Sequence, residues 1–149
     1  MRQRKHWFVV GSLAVLALLV GACGSAAPES EGSTAGGELS KNADGYIDID
    51  VEQLAGMLEN KDFTLVNVHI PYEGEIEQTD LFIPFDEIAD YQDQLPEKDA
   101  PIVLYCRSGS MSTTAAKELA DMGYTNVLEL DGGFRAWEAA GNELLDAQR

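Results

Sequence analysis

The chain has 149 residues, with 26 acidic against 10 basic side chains and a formal net charge of −16. So acidic a surface excludes nucleic acid and anionic lipid headgroups as charge-driven partners. Its plainer consequence is solubility. The length fits one globular domain, and no internal repeat is present.

Arg2, Arg4 and Lys5 open the chain, Trp7 to Val20 is almost wholly apolar, and Val20-Gly21-Ala22 places small residues before Cys23. This order of basic, apolar and small-residue stretches is the layout of an export signal. The apolar run is short of the roughly 20 residues that a spanning helix takes. The segment resembles the lipobox of bacterial lipoproteins. That resemblance implies a signal peptide over 1–22, a lipid on Cys23 and a domain held in the cell envelope, outside the cytoplasm. From Cys23 onward the chain holds 7 basic and 26 acidic residues, a net −19, so the membrane link is expected through lipid and not through a basic patch. Residues 23–43, rich in Ser, Gly, Ala and Glu after the cysteine, read as a flexible tether. Residues 44–149 are expected to form the folded domain, large enough for one modest core.

Within that domain Tyr46-Ile47-Asp48-Ile49 alternates as a short strand. Asp50, with Gln53 three residues on, predicts a capping box opening a helix over Val51 to Glu59. Phe63 to Val68 predicts a second strand, and Leu81 to Ile83 a third, stopped by Pro84. Phe85 to Tyr91 predicts a short helix opened by Asp86. Ile102 to Tyr105 predicts the central strand, and Ser110 to Met122 a helix closed by Gly123. Asn126 to Leu130 predicts the last strand. Asp131-Gly132-Gly133 then turns into a helix over Phe134 to Ala140. Strands alternating with helices predict an α/β fold, a mainly parallel five-stranded sheet with helices on both faces. In such sheets ligands bind beyond the carboxyl ends of the strands.

Cys106 stands at one of those ends. It follows the apolar run Ile102-Val103-Leu104-Tyr105 and precedes a loop of small residues, Ser108-Gly109-Ser110, that leads into a helix. Loop N–H groups and the helix N-terminus converge there, and both favour thiolate over thiol. With Cys23 lipidated, Cys106 is a lone thiol in an oxidising compartment, where exported proteins usually pair their cysteines. It is either a reactive group or a buried small hydrophobe, and the strand–loop–helix setting favours the first.

Three segments together resemble the rhodanese family over about Tyr46 to Leu145. Cys106-Arg107-Ser108-Gly109-Ser110-Met111 resembles its six-residue catalytic loop. Asp131-Gly132-Gly133-Phe134-Arg135-Ala136-Trp137 resembles its Gly-Gly-x-x-x-Trp segment, and Gly123-Tyr124-Thr125-Asn126-Val127 resembles the approach to its last core strand. The resemblance implies a sulfurtransferase that takes sulfane sulfur from a donor such as thiosulfate onto Cys106. The sulfur is then handed to a thiol or other thiophilic acceptor. Neither metal nor organic cofactor is implied, and a monomer is expected. The N–H groups of Arg107, Ser108, Gly109, Ser110 and Met111 are the expected anion cradle. Arg107 either attracts an anionic donor or faces solvent, and Ser110 is expected to cap the helix.

The departures from the family pattern bear on substrate. Met111 stands where many rhodaneses carry arginine, which weakens the case for thiosulfate. Asn67-Val68-His69 replaces a frequent Asp-Val-Arg. His69 is a candidate acid or base beside Cys106, or a loop histidine bonded to backbone. Glu73, Glu75 and Glu77 either repel an anionic donor or belong to a solvated loop. Phe134 and Trp137 are expected in the core. The competing function is a binding module that keeps the fold without turning over sulfur. Phosphatase chemistry is disfavoured because the arginine of a Cys-x5-Arg loop falls at Ser112.

Overall fold

The structure is a computed structural model that describes residues 39–146. The proposed signal segment, Cys23 and residues 23–38 of the tether lie outside the described residues. Among the described residues no helix is long and apolar enough to cross a membrane. The folded part is already anchored at Asn42, whose backbone N–H bonds the Tyr46 carbonyl and whose side chain donates to Asp48.

Five parallel strands run β1 (Ile47–Ile49), β2 (Thr64–Asn67), β3 (Leu81–Phe82), β4 (Ile102–Tyr105) and β5 (Val127–Leu130), in spatial order β1-β5-β4-β2-β3. The helices are α1 (Val51–Leu58), α2 (Ser110–Asp121) and α3 (Gly133–Ala139). β4 is central, and all four of its residues are buried, as expected of a parallel strand covered on both faces. Its alternation sorts the core into two layers. Ile102, Leu104 and Cys106 pack with Ala115, Ala116 and Leu119 of α2. Val103 and Tyr105 pack with Leu54 of α1 and with Phe134 and Trp137 of α3. The expected strands and three main helices are therefore present, with boundaries moved by one or two residues.

The capping box at α1 forms as read: Gln53 N–H donates to Asp50 Oδ1 and Asp50 N–H to Gln53 Oε1, both at 2.8 Å. The short helix expected over Phe85 to Tyr91 is confined to its second half. A 3-10 turn occupies Ile88–Tyr91, preceded by Glu87 and not by an Asp86 cap. The backbone bonds through it span three residues, from Glu87 N–H to the Pro84 carbonyl and from Asp90 N–H to the Glu87 carbonyl. Phe85, Ile88 and Tyr91 recur at every third residue and pack against one core layer, a period that three residues per turn satisfies; Ile88 is fully buried and anchors the turn.

Tyr105 ties the sheet to the connection that follows β2. Its hydroxyl accepts the Ile76 N–H at 3.0 Å and lies 2.7 Å from Thr79 Oγ1. Burial pushes the phenol above its ordinary range, so it stays neutral. Tyr105→Phe keeps the ring packing but leaves the buried Ile76 N–H without its acceptor. Urea unfolding is expected to show a loss of about 1–3 kcal/mol.

Candidate active site

Cys106 is the first residue beyond β4, at the carboxyl edge of the sheet, and it is 1% exposed. Two donors reach its sulfur, the Gly109 N–H at 3.2 Å and the Ser112 hydroxyl at 3.3 Å. Gly109 has φ 96°, a conformation that side chains disfavour, and it occupies the N-cap of α2. Ser110 is therefore not the cap. It is the first helical residue, and its carbonyl accepts the Thr114 hydroxyl. The positive-φ turn brings an amide onto the sulfur directly before the helix begins, leaving the cap position to a residue without a side chain.

The loop is held from behind by the start of α3. Phe134 N–H donates to the Cys106 carbonyl at 2.9 Å, and Arg135 N–H to the Arg107 carbonyl at 3.1 Å. A Cβ on Gly133 would lie 2.1 Å from the Cys106 carbonyl oxygen. Glycine is obligatory there because the two backbones touch. This gives the Gly-Gly turn its physical reason.

A pocket of about 250 Å³ opens over the sulfur, lined by His69, Cys106, Arg107, Ser108, Ser110, Met111 and Arg135. The structure thus brings the predicted loop residues and His69 together around one cavity; Gly109 contributes through its amide. Met111 packs against the core layer under α2. Arg107 lines the pocket and is partly exposed, and its charge is partly neutralised by Glu73, whose Oε1 lies 3.3 Å from Nη1. His69 is 5% exposed, and it is not bonded to backbone through its ring. Nε2 lies 3.4 Å from Glu73 Oε2, close enough for an ion pair though not aligned as a hydrogen bond, and the ring meets Phe134 edge-on.

The loop of three glutamates is not uniformly solvated. Glu73 reaches the site, Glu75 is buried and exchanges backbone bonds with Leu145, and Glu77 is exposed. Asn67, read as a departure, is a staple. Its amide donates to the Gly74 carbonyl at 2.9 Å, and its oxygen accepts the His69 N–H at 3.0 Å.

Sequence reasoning missed Glu129 and Arg135. Glu129 is 1% exposed in β5, on the face that carries Cys106, and Ser112 donates to its Oε1. Burial, reinforced by Asp131 and Asp48, pushes its carboxyl up to about 7, against the lowering effect of the Ser112 hydrogen bond. The available signal was an acid inside the four-residue run Val-Leu-Glu-Leu, a strand read as covered on both faces.

Because the folded state binds this proton more tightly than the unfolded chain, its stabilising effect is full below the usual 4.5 and is lost as pH rises through about 7. Glu129→Gln removes that loss and keeps a donor for Ser112. Relative to the wild type, the variant is expected to gain up to ~3 kcal/mol between mildly acidic and neutral pH, read by denaturant unfolding across that range.

The rhodanese-like domain model matches residues 50–140. A sulfurtransferase of Allochromatium vinosum is 38% identical over 98 residues, covering 63% of this chain and 90% of that protein. The thiosulfate sulfurtransferase GlpE of Vibrio cholerae is 29% identical over 99 residues, covering 65% and 92%. Among solved structures, a rhodanese-like domain protein from Staphylococcus aureus superposes with a TM-score of 0.58 at 27% identity, covering 68% of this chain and 98% of that one. A match that runs from the capping box of α1, through the cysteine loop, to the end of α3 places this chain in the rhodanese-like domain family.

Proposed function

We propose that this protein is a sulfurtransferase or persulfide carrier that holds sulfane sulfur on Cys106. We further propose that a lipid on Cys23 anchors it in the bacterial cell envelope with the domain outside the cytoplasm. The observation that carries the chemistry is the sulfur lining a small pocket, with the Gly109 N–H directed at it and the Ser112 hydroxyl within hydrogen-bond reach. Donors so placed stabilise negative charge on a thiolate or on a persulfide without reorganising. The sulfurtransferase relatives support the same reading.

The reaction balances without a cofactor. The Cys106 thiolate attacks the outer sulfur of the donor, a new S–S bond forms, and the donor's own bond to that sulfur breaks with its electron pair. With thiosulfate the leaving group is sulfite. A thiophilic acceptor then takes the terminal sulfur, and the electron pair of the broken S–S bond returns to Cys106. Arg107 and Arg135 favour an anionic donor at the mouth, while Glu73 neutralises part of that field. A polysulfide is therefore as suitable a donor as thiosulfate.

A second reading, a binding module without turnover, draws on Met111, which fills its place at the pocket with an apolar side chain packed on the core. Turnover of the full chain in detergent, with thiosulfate or polysulfide as donor and cyanide as acceptor, separates the two. Thiocyanate formation is expected with at least one donor, falling to the uncatalysed rate in Cys106→Ser. Absence of turnover with both donors, in folded protein with a titratable thiol, favours the binding module.

A further inference from the structure

The Ser112 hydroxyl stands between two acids. Its oxygen lies 3.3 Å from Cys106 Sγ, 3.0 Å from the Gly109 carbonyl oxygen and within hydrogen-bond reach of Glu129 Oε1. Ser112 is fully buried and Glu129 nearly so. A serine hydroxyl has one hydrogen to give and two lone pairs to offer. Three acceptors therefore compete for a single hydrogen.

The protonation state of Glu129 settles that competition. An ionised Glu129 takes the Ser112 hydrogen, and the sulfur keeps only the Gly109 N–H. A protonated Glu129 donates its own O–H to Ser112 Oγ, which frees the serine hydrogen to turn to the sulfur. Two arrangements thus hold one proton between the acids: thiolate with a neutral carboxyl, or thiol with a carboxylate. They interconvert through Ser112. The S–H bond breaks as a Ser112 O–H bond forms, and the former Ser112 O–H bond breaks as a Glu129 O–H bond forms. No electrons change hands.

We propose that Glu129 is the proton acceptor for Cys106, reached through Ser112, so that thiol and carboxyl titrate as one coupled pair. The groups around the pair set the direction of transfer. On the Glu129 side stand Asp48, its register partner on β1, and Asp131 in the turn before α3; β4 presents Leu104 opposite it. These acids oppose ionisation of Glu129. On the sulfur side the pocket carries Arg107, Arg135 and His69, with Glu73 beside Arg107 and His69. The arginines favour the sulfur anion. The elevated carboxyl of Glu129, pushed up to about 7, accords with a group able to receive a proton near neutrality. The inference deepens the sulfur-carrier reading by giving the thiol proton a destination within the protein. It is tested without any sulfur donor, so its failure and a failure of sulfur transfer are distinguishable.

The test is the ultraviolet absorbance of the Cys106 thiolate as a function of pH, taken on the full chain as a difference against Cys106→Ser. The wild type is expected to titrate in two steps, as coupled sites do. In Glu129→Gln the amide donates permanently to Ser112. The curve is expected to collapse to one step, with the thiolate-to-thiol ratio at mildly alkaline pH raised about tenfold, the equivalent of one pK unit of coupling. Ser112→Ala is expected to merge the steps as well, and in that background Glu129→Gln should change the ratio by less than about twofold. A Glu129 that is merely structural alters stability and leaves the titration in place. A single-step wild-type curve, or a Glu129→Gln curve that superposes on the wild type, overturns the proposal. Should circular dichroism show Glu129→Gln unfolded, the wild-type and Ser112→Ala curves decide: two steps merging to one sustain the relay, and an unchanged profile overturns it.

Discussion

The site depends on a contact between two stretches of backbone. The first amides of α3 bond the carbonyls of Cys106 and Arg107, and the contact closes only because Gly133 has no Cβ. With those carbonyls held from behind, the loop can place the Gly109 amide on the opposite side, against the sulfur. The sheet fixes the other end of the arrangement. β4 is buried between β5 and β2, so Cys106 emerges at a defined height on the carboxyl edge. A side chain at residue 133 would act on the sulfur without touching it, by displacing the loop that surrounds it.

The electrostatics of the site divide along the same line. The pocket side is cationic, with Arg107 and Arg135 moderated by Glu73. The other side is acidic: the buried Glu129 meets the exposed Asp48 and Asp131 at the β1–β5 edge, their carboxylate oxygens within 4.8 Å of one another. Such a cluster is costly unless protons are retained, and burial raises both Glu129 and Asp131. The cost is placed next to a serine that also touches the reactive sulfur. That juxtaposition distinguishes a carboxyl tuned for proton handling from a surface acid of the kind that dominates this chain.

The strand, cysteine loop and following helix were legible because each signal is local: an apolar run, small turn residues, then a helical pattern from Ser110. The Gly-Gly segment was legible as a motif, while its reason, the approach to Cys106, is tertiary. What escaped the sequence depends on register and on long connections. Glu129 meets Ser112 only once β5 packs beside β4 beneath α2, and Glu73 reaches Arg107 across 34 residues. Asn67 looked like the loss of a charged family residue, yet it secures the loop that carries His69 and Gly74. Around Ile88 the spacing misled because Phe85, Ile88 and Tyr91 all meet the core at every third residue, a period that a 3-10 turn serves as well as an α-helix.

The proposed chemistry requires Cys106 to carry sulfur. Intact mass of the full chain after incubation with thiosulfate, and separately with polysulfide, tests it most directly. A gain of one sulfur atom is expected with at least one donor, reversed by reductant and absent in Cys106→Ser. No gain with either donor, in folded protein whose Cys106 thiol is demonstrably free, would contradict it.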